Sequence, residues 1–235
     1  MHAALVIARY TWMRLWRGKS YWINVLLALA PVVLAWLPGV AAGTPAERWK
    51  RALELAIQIV PLSAAIQLAQ AVAEELEGHT VTYLWTRPIS RTALLAGKLL
   101  AALPVVLGVA VLPVVAAYVI THLDGLGANL GDLGMALAAT VLGGLTASMV
   151  AAGIGALFPR QAFVIALAYL LFLDKVLGYV PNLGYVSIMH HMRALAGFEA
   201  EVGPAAAAVA LLVLALAWLG IGIARLRTLE PGGGD

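Results

Sequence analysis

Long uncharged runs alternate along this chain with short clusters of charge. A helix needs about 20 mostly apolar residues to cross a hydrocarbon layer about 30 Å thick. Six stretches meet that length: Tyr21–Ala42, Leu55–Ala73, Leu99–Ile120, Leu133–Leu157, Ala162–Val180 and Pro204–Ala224. The fifth is interrupted by Asp174 and Lys175. The joints are short, so neighbouring helices are antiparallel. The pattern predicts an all-α integral membrane protein with six transmembrane helices, built as a single transmembrane domain over 1–235 without a soluble appendage.

The segments outside those runs have their own patterns. Over residues 1–20, Leu5, Ala8, Trp12, Leu15 and Trp16 share one helical arc, and Arg9, Arg14 and Arg17 lie on the other side. This predicts an N-terminal interfacial amphipathic helix with Trp at headgroup depth and Arg toward anionic lipid. The plainer alternative is a basic start that only fixes topology. Ser20 through Pro45 carries no charge and is long enough to span, so the first run is expected to be a retained helix and not a cleaved leader. Residues 181–203 read as an outer loop or re-entrant segment, and residues 228–235, with Pro231 followed by Gly232, Gly233 and Gly234, as a flexible tail.

Orientation follows the basic residues. With the N-terminus inside, the inner segments hold Arg9, Arg14, Arg17, Lys19, Arg87, Arg91, Lys98, Arg160, Arg225 and Arg227. The outer segments hold Arg48, Lys50, Arg51, Lys175 and Arg193. The imbalance predicts both termini in the cytoplasm. Glu47 through Arg51, read as the first outer loop, runs against the trend.

Composition agrees with the pattern. Of 235 residues, 63% are hydrophobic and 11% charged, where soluble domains carry about 25% charged residues. The absence of cysteine excludes disulfides and thiolate metal sites. The net charge of +3 forms no basic stripe with interleaved aromatics, which argues against a nucleic-acid partner.

Several features inside or near the spans admit more than one reading. Pro31, Pro61, Pro104 and Pro113 kink their helices, as happens both in transporters and in inert bundles. In the fourth span Gly143, Ala147, Ala151 and Gly155 form one row of small residues, and Gly144, Ser148, Ala152 and Ala156 a second. Such rows let helix backbones approach closely, and contact within the chain is the expected use. In the second span Ser63, Gln67, Gln70 and Glu74 share a face that either lines a conduit between two subunits or bonds helices to one another. Asp174 and Lys175 are expected at the membrane interface, because Gly178, Pro181, Asn182 and Gly184 break the chain just beyond them. Met189, His190, His191 and Met192 carry sulfur and imidazole ligands of the kind copper takes. Consecutive side chains diverge on a helix, so a short amphipathic helix over Ser187–Ala196 is the expected structure, with no metal.

The most informative stretch joins spans two and three, over residues 74–98. Three carboxylates, Glu74, Glu75 and Glu77, end the span, and Gly78 permits a sharp turn. Thr80 can cap a short helix on which Val81, Leu84 and Trp85 share a face, and Pro88 ends it. Such a helix is either a knob for a partner's groove or a connector resting on the membrane.

This stretch resembles the signature of type-2 ABC exporter permeases, Glu-x-Glu-x-x-Thr-x-x-Tyr-Leu-x-x-Arg-Pro-Ile-x-Arg followed by Gly-Lys. Here those positions are Glu75, Glu77, Thr80, Tyr83, Leu84, Arg87, Pro88, Ile89, Arg91, Gly97 and Lys98. His79 stands where many members of that family have other polar residues.

The resemblance implies a permease homodimer in the inner membrane of a bacterium, each copy bound to a separate cytoplasmic ABC ATPase. Thr80 to Thr86 would be a cytoplasmic coupling helix docked in that ATPase, with Glu75 and Glu77 anchoring its base and Arg87 and Arg91 its exit. ATP and Mg would reside in the ATPase, since no Gly-x-x-x-x-Gly-Lys-Ser/Thr loop occurs in this sequence. The chain would then have no catalytic residue of its own and would move substrate outward. An integral membrane enzyme using Asp174, His190, His191 or Glu77 and a non-catalytic assembly factor are the competing functions.

Overall fold

A computed structural model describes residues 2–37, 44–69, 71–72, 91–123, 125–127, 129–180, 182–199 and 201–228. Eight helices account for most of them: α1 (His2–Arg17), α2 (Lys19–Trp36), α3 (Pro45–Ala69), α4 (Arg91–Thr121), α5 (Leu130–Leu157), α6 (Pro159–Tyr179), α7 (Ile188–Leu195) and α8 (Pro204–Thr228). No strand occurs among the described residues. The helices long and apolar enough to cross a membrane number six: α2, α3, α4, α5, α6 and α8. They are the six expected spans, with some boundaries moved.

The largest shift is at the start of α3. Glu47–Arg51, expected as an outer loop, forms its first turns instead. Thr44 caps the helix, accepting from the Glu47 amide at 3.4 Å while the Thr44 amide donates to the Glu47 carboxylate at 3.0 Å. Pro45 occupies the first helical position, where its missing N–H costs nothing. Trp49, Ala52, Leu53, Ala56, Ile57 and Val60 then repeat at helical spacing and are buried, while Arg48, Lys50 and Arg51 occupy the other faces. At the end of α2 the helix stops at Trp36, short of Ala42, since Leu37 precedes a proline and adopts extended geometry.

The core has two pillars. In α3 and α5, 72% of the most apolar stretch is buried, against 22% in α6 and α8 and 17% in α2. Both small-residue rows of α5 are buried, and their neighbours lie within the chain. A Cβ at Gly143 would overlap Met192, and one at Gly144 would meet Val60 at 3.1 Å. One at Gly155 would lie 2.9 Å from the Ala69 carbonyl oxygen, and one at Gly153 would lie 2.9 Å from the Trp218 ring. Thr146 donates to the Leu211 carbonyl at 3.0 Å, tying α5 to α8. Thus α5 uses its missing side chains to gather α3, α7 and α8 around it.

Two spans contain a widened turn. Ala65–Ala69 in α3 and Tyr169–Leu173 in α6 are π-helical, with i→i+5 spacing. The first lies within the same helix as Pro61, which lacks a backbone donor.

Helix α1 forms where expected and packs against α4. Its inward side, however, runs through Thr11 and Leu15, while Leu5 and Trp16 of the expected arc are exposed. The Trp16 and Tyr21 rings lie 4.4 Å apart across the break at Gly18, so aromatic stacking sets the corner between α1 and α2.

Candidate functional site

The expected coupling segment falls outside the described residues. Glu75, Glu77, Thr80, Val81, Tyr83, Leu84, Trp85, Arg87 and Pro88 all belong to it, and Arg91 opens α4 with its side chain also outside the description. The flanking structure is described. Val72 and Arg91 bring the chain out of α3 and into α4 at one end of the bundle, called the loop end below. Lys98, from the Gly-Lys pair, is buried in α4.

Of the polar face proposed for the second span, Ser63 and Gln67 are buried, while Gln70 lies outside the described residues. The Gln67 amide points toward the first turn of α2 and donates to the Ser20 carbonyl at 3.4 Å. Asn24 donates to the same carbonyl at 2.8 Å. The structure therefore sets Gln67 at a helix–helix contact. Among the described residues, the Ser63 hydroxyl and the side-chain carbonyls of Gln67 and Asn24 find no hydrogen-bond partner. Buried polar atoms in that state each cost about 1–3 kcal/mol.

The quartet at 189–192 does not converge. Met192 packs over Gly143, and His191 Nε2 lies 3.1 Å from the Tyr185 carbonyl oxygen. His190 Nδ1 is 2.7 Å from Glu199. Among the described residues no group of three or more metal-ligating side chains gathers. The short helix expected over Ser187–Ala196 is α7, with Ser187 as its N-cap and Ala196 as its C-cap.

At the end of the bundle opposite the loop end, α7 and the ends of α3 and α6 enclose a polar cleft of about 350 Å³. Ser187 and Met189 line one wall, and Asp174 is buried behind them. Its side chain is only 1% exposed. Its carboxylate accepts from the backbone amides of Ile188 at 2.7 Å and Met189 at 2.8 Å, and from the Ser187 hydroxyl at 3.3 Å. The His190 amide donates to Ser187 Oγ at 3.1 Å. The first three amides of α7, which a helix cannot satisfy internally, thereby all find acceptors. The negative charge also sits at the positive end of the α7 dipole. Asn182, with a φ of 66°, turns the chain back between α6 and α7. Lys175, next in sequence, is exposed at the cleft.

Arg193 builds the other wall. Its guanidinium donates to Glu54 of α3 at 2.6 Å and to Glu199 at 2.9 Å, and it lies 5.5 Å from the centre of the Phe198 ring. Glu199 also receives His190, so α3, α7 and the segment before α8 meet in one charged cluster. Partial burial works against the charged form of Arg193, but the two carboxylates outweigh it and raise its pKa. His191, behind the cleft, moves the other way. Burial lowers its pKa, opposed by the Tyr185 carbonyl, and its Nδ1 finds no hydrogen-bond partner among the described residues.

Neither Glu54 nor Arg193 had been singled out as a site residue. A half-charged helical face around Glu54 was a faint signal, but the residues are 139 positions apart and nothing local announces their pairing.

Compared with known proteins, residues 10–175 match the family described as ABC-2 family transporter protein. That stretch runs from α1 to Lys175; α7 and α8 lie beyond it. No curated protein matches the chain.

Proposed function

Because the chain belongs to the ABC-2 family of transporter membrane proteins, and is thus a multi-pass membrane permease of an ABC transporter, we propose that it is the translocating subunit of an exporter powered by a separate cytoplasmic ATPase. The observation that carries this reading is the Glu75–Arg91 signature at the junction of α3 and α4 within the family match. In it, Thr80 to Thr86 is the coupling helix, with Leu84 and Trp85 as the apolar knob. Glu75 and Glu77 anchor its base, and Arg87 and Arg91 its exit. ATP and Mg bind the partner, and this chain contributes motion rather than bond chemistry.

The remaining assignments extend the same reading. Two permease copies and two ATPase copies form the working unit in the inner membrane of a bacterium. The loop end and both termini face the cytoplasm, which puts the Arg193 cleft on the outer side. Exposed Leu5, Val6 and Trp16 beside Arg9 support an interfacial place for α1. The whole of 1–235 acts as one transmembrane domain, with 228–235 as its tail.

The test is reconstitution with the ATPase in lipid vesicles. Leu84→Asp and Trp85→Asp are expected to abolish transport and the permease's stimulation of ATP hydrolysis while leaving thermal unfolding unchanged. Variants that stimulate hydrolysis as the parent does would remove the coupling assignment.

A further inference from the structure

The charged cluster in the cleft is already paired within itself. Arg193, its central cation, is taken by two carboxylates, and His190 by one of them. What the cluster does offer is a connection between separate elements. Helix α7 is fixed to the bundle at two points that do not involve α3: Asp174 of α6 holds its first turn, and Met192 fills the space above Gly143 of α5. The Arg193–Glu54 pair joins this bracket to α3.

Helix α3 reaches from that pair to the loop end. Its 25 residues rise about 37 Å, more than the thickness of the hydrocarbon layer. Glu54 sits in the third turn from its start, and the 73–90 segment follows its far end. A displacement of that segment therefore acts on the same rod that carries Glu54.

The pair is also suited to being broken. Arg193 and Glu54 side chains are 29% and 43% exposed, so parting them leaves both charges in reach of water. Glu199 stays with Arg193 when Glu54 leaves, so the cation is never bare.

We propose that the Glu54–Arg193 ion pair is a releasable latch on the outer side of the permease. Closed, it holds α3 against the α7 bracket. It opens when the ATPase moves the loop end, and its opening is a required step of each transport cycle. The inference rests on the reading of residues 74–98 as the coupling segment.

This chain has no native cysteine, so two introduced thiols are the only ones it carries. Glu54→Cys and Arg193→Cys are combined in the full chain, assembled with its ATPase in vesicles, and joined by a short reducible bifunctional thiol reagent. The linked complex is expected to lose transport by about tenfold or more, within the range that coupled state changes reach, and to recover on reduction. In the unlinked pair, ATP is expected to slow the linking reaction several-fold.

Transport at the parental rate in the linked complex overturns the latch. So does a linking rate indifferent to ATP in a complex whose hydrolysis is still stimulated by the permease. Failure of the underlying reading looks different: Leu84→Asp then leaves stimulation intact, whatever the linking reaction does. Charge-neutral Glu54→Gln and Arg193→Gln control for folding and are expected to keep the parental unfolding temperature within a few degrees.

Discussion

Helix α7 is held by carboxylates in two different surroundings. At its first turn Asp174 is sealed from solvent and accepts three hydrogen bonds from fixed donors. In the next turn Arg193 reaches out of the same helix to Glu54 and Glu199, and all three side chains keep about a third of their surface in water. The first joint has no cheap alternative state, because the amides it satisfies would be left bare in an apolar interior. The second exchanges an ion pair for hydration at nearly equal free energy. One short helix thus carries a fixed hinge and a free clasp, and the dielectric around each decides which is which.

Removing Asp174 should produce the largest effect. Asp174→Ala strands the Ile188 and Met189 amides and the Ser187 hydroxyl. At about 1–3 kcal/mol for each buried group left bare, a loss of about 3 kcal/mol or more is expected in thermal unfolding of the solubilised protein. Asp174→Asn keeps one acceptor oxygen and should fall between. Equal unfolding temperatures for parent and Asp174→Ala would mean that α7 is not held there.

A smaller effect is expected from pH through His191. Its folded-state pKa lies below the ordinary 6.5 because burial disfavours the cation. The unfolded chain takes up that proton first as pH falls. The contribution of neutral His191 is therefore complete above about pH 6.5 and declines as pH drops from there toward the folded-state pKa. Unfolding temperature should fall as pH is lowered through that window, and His191→Gln should flatten that part of the curve.

The smallest change in stability is expected at the clasp. Arg193→Gln should cost under about 1 kcal/mol, as exposed pairs do, and the same loss should follow from raising salt on the parent, since screening acts over about 8 Å at physiological ionic strength. A loss as large as that of Asp174→Ala would erase the contrast between the two joints.

The parts of this molecule legible in its sequence are those written in local pattern. Six apolar runs gave six spans, and the rows of small residues on α5 marked its packing faces. The bounds of α7 followed from its polar flanks. What went astray had competing signals. The charges of Glu47–Arg51 looked like a loop because hydropathy was weighed above the Thr44–Pro45–Glu47 start signal, which the helix in fact obeys. The partners of Asp174 are a different case, since no local pattern announces them. Its donors come from a helix 13 to 15 residues further on, and only the fold brings them. The cleft was the least legible, since Glu54 and Arg193 each resemble an ordinary surface charge until they meet.

The widened turns in α3 and α6 bear on how these helices tolerate changes of length. A π turn fits one more residue between its flanks than an α turn does, so each of these helices contains a spare residue. Deleting it regularises the turn and leaves the flanking faces in register. The same deletion in α5 would swing every later side chain about 100° around the axis. Insertions and deletions should therefore be absorbed in the rod that bears Glu54 and in the span that bears Asp174, and refused by the pillar between them.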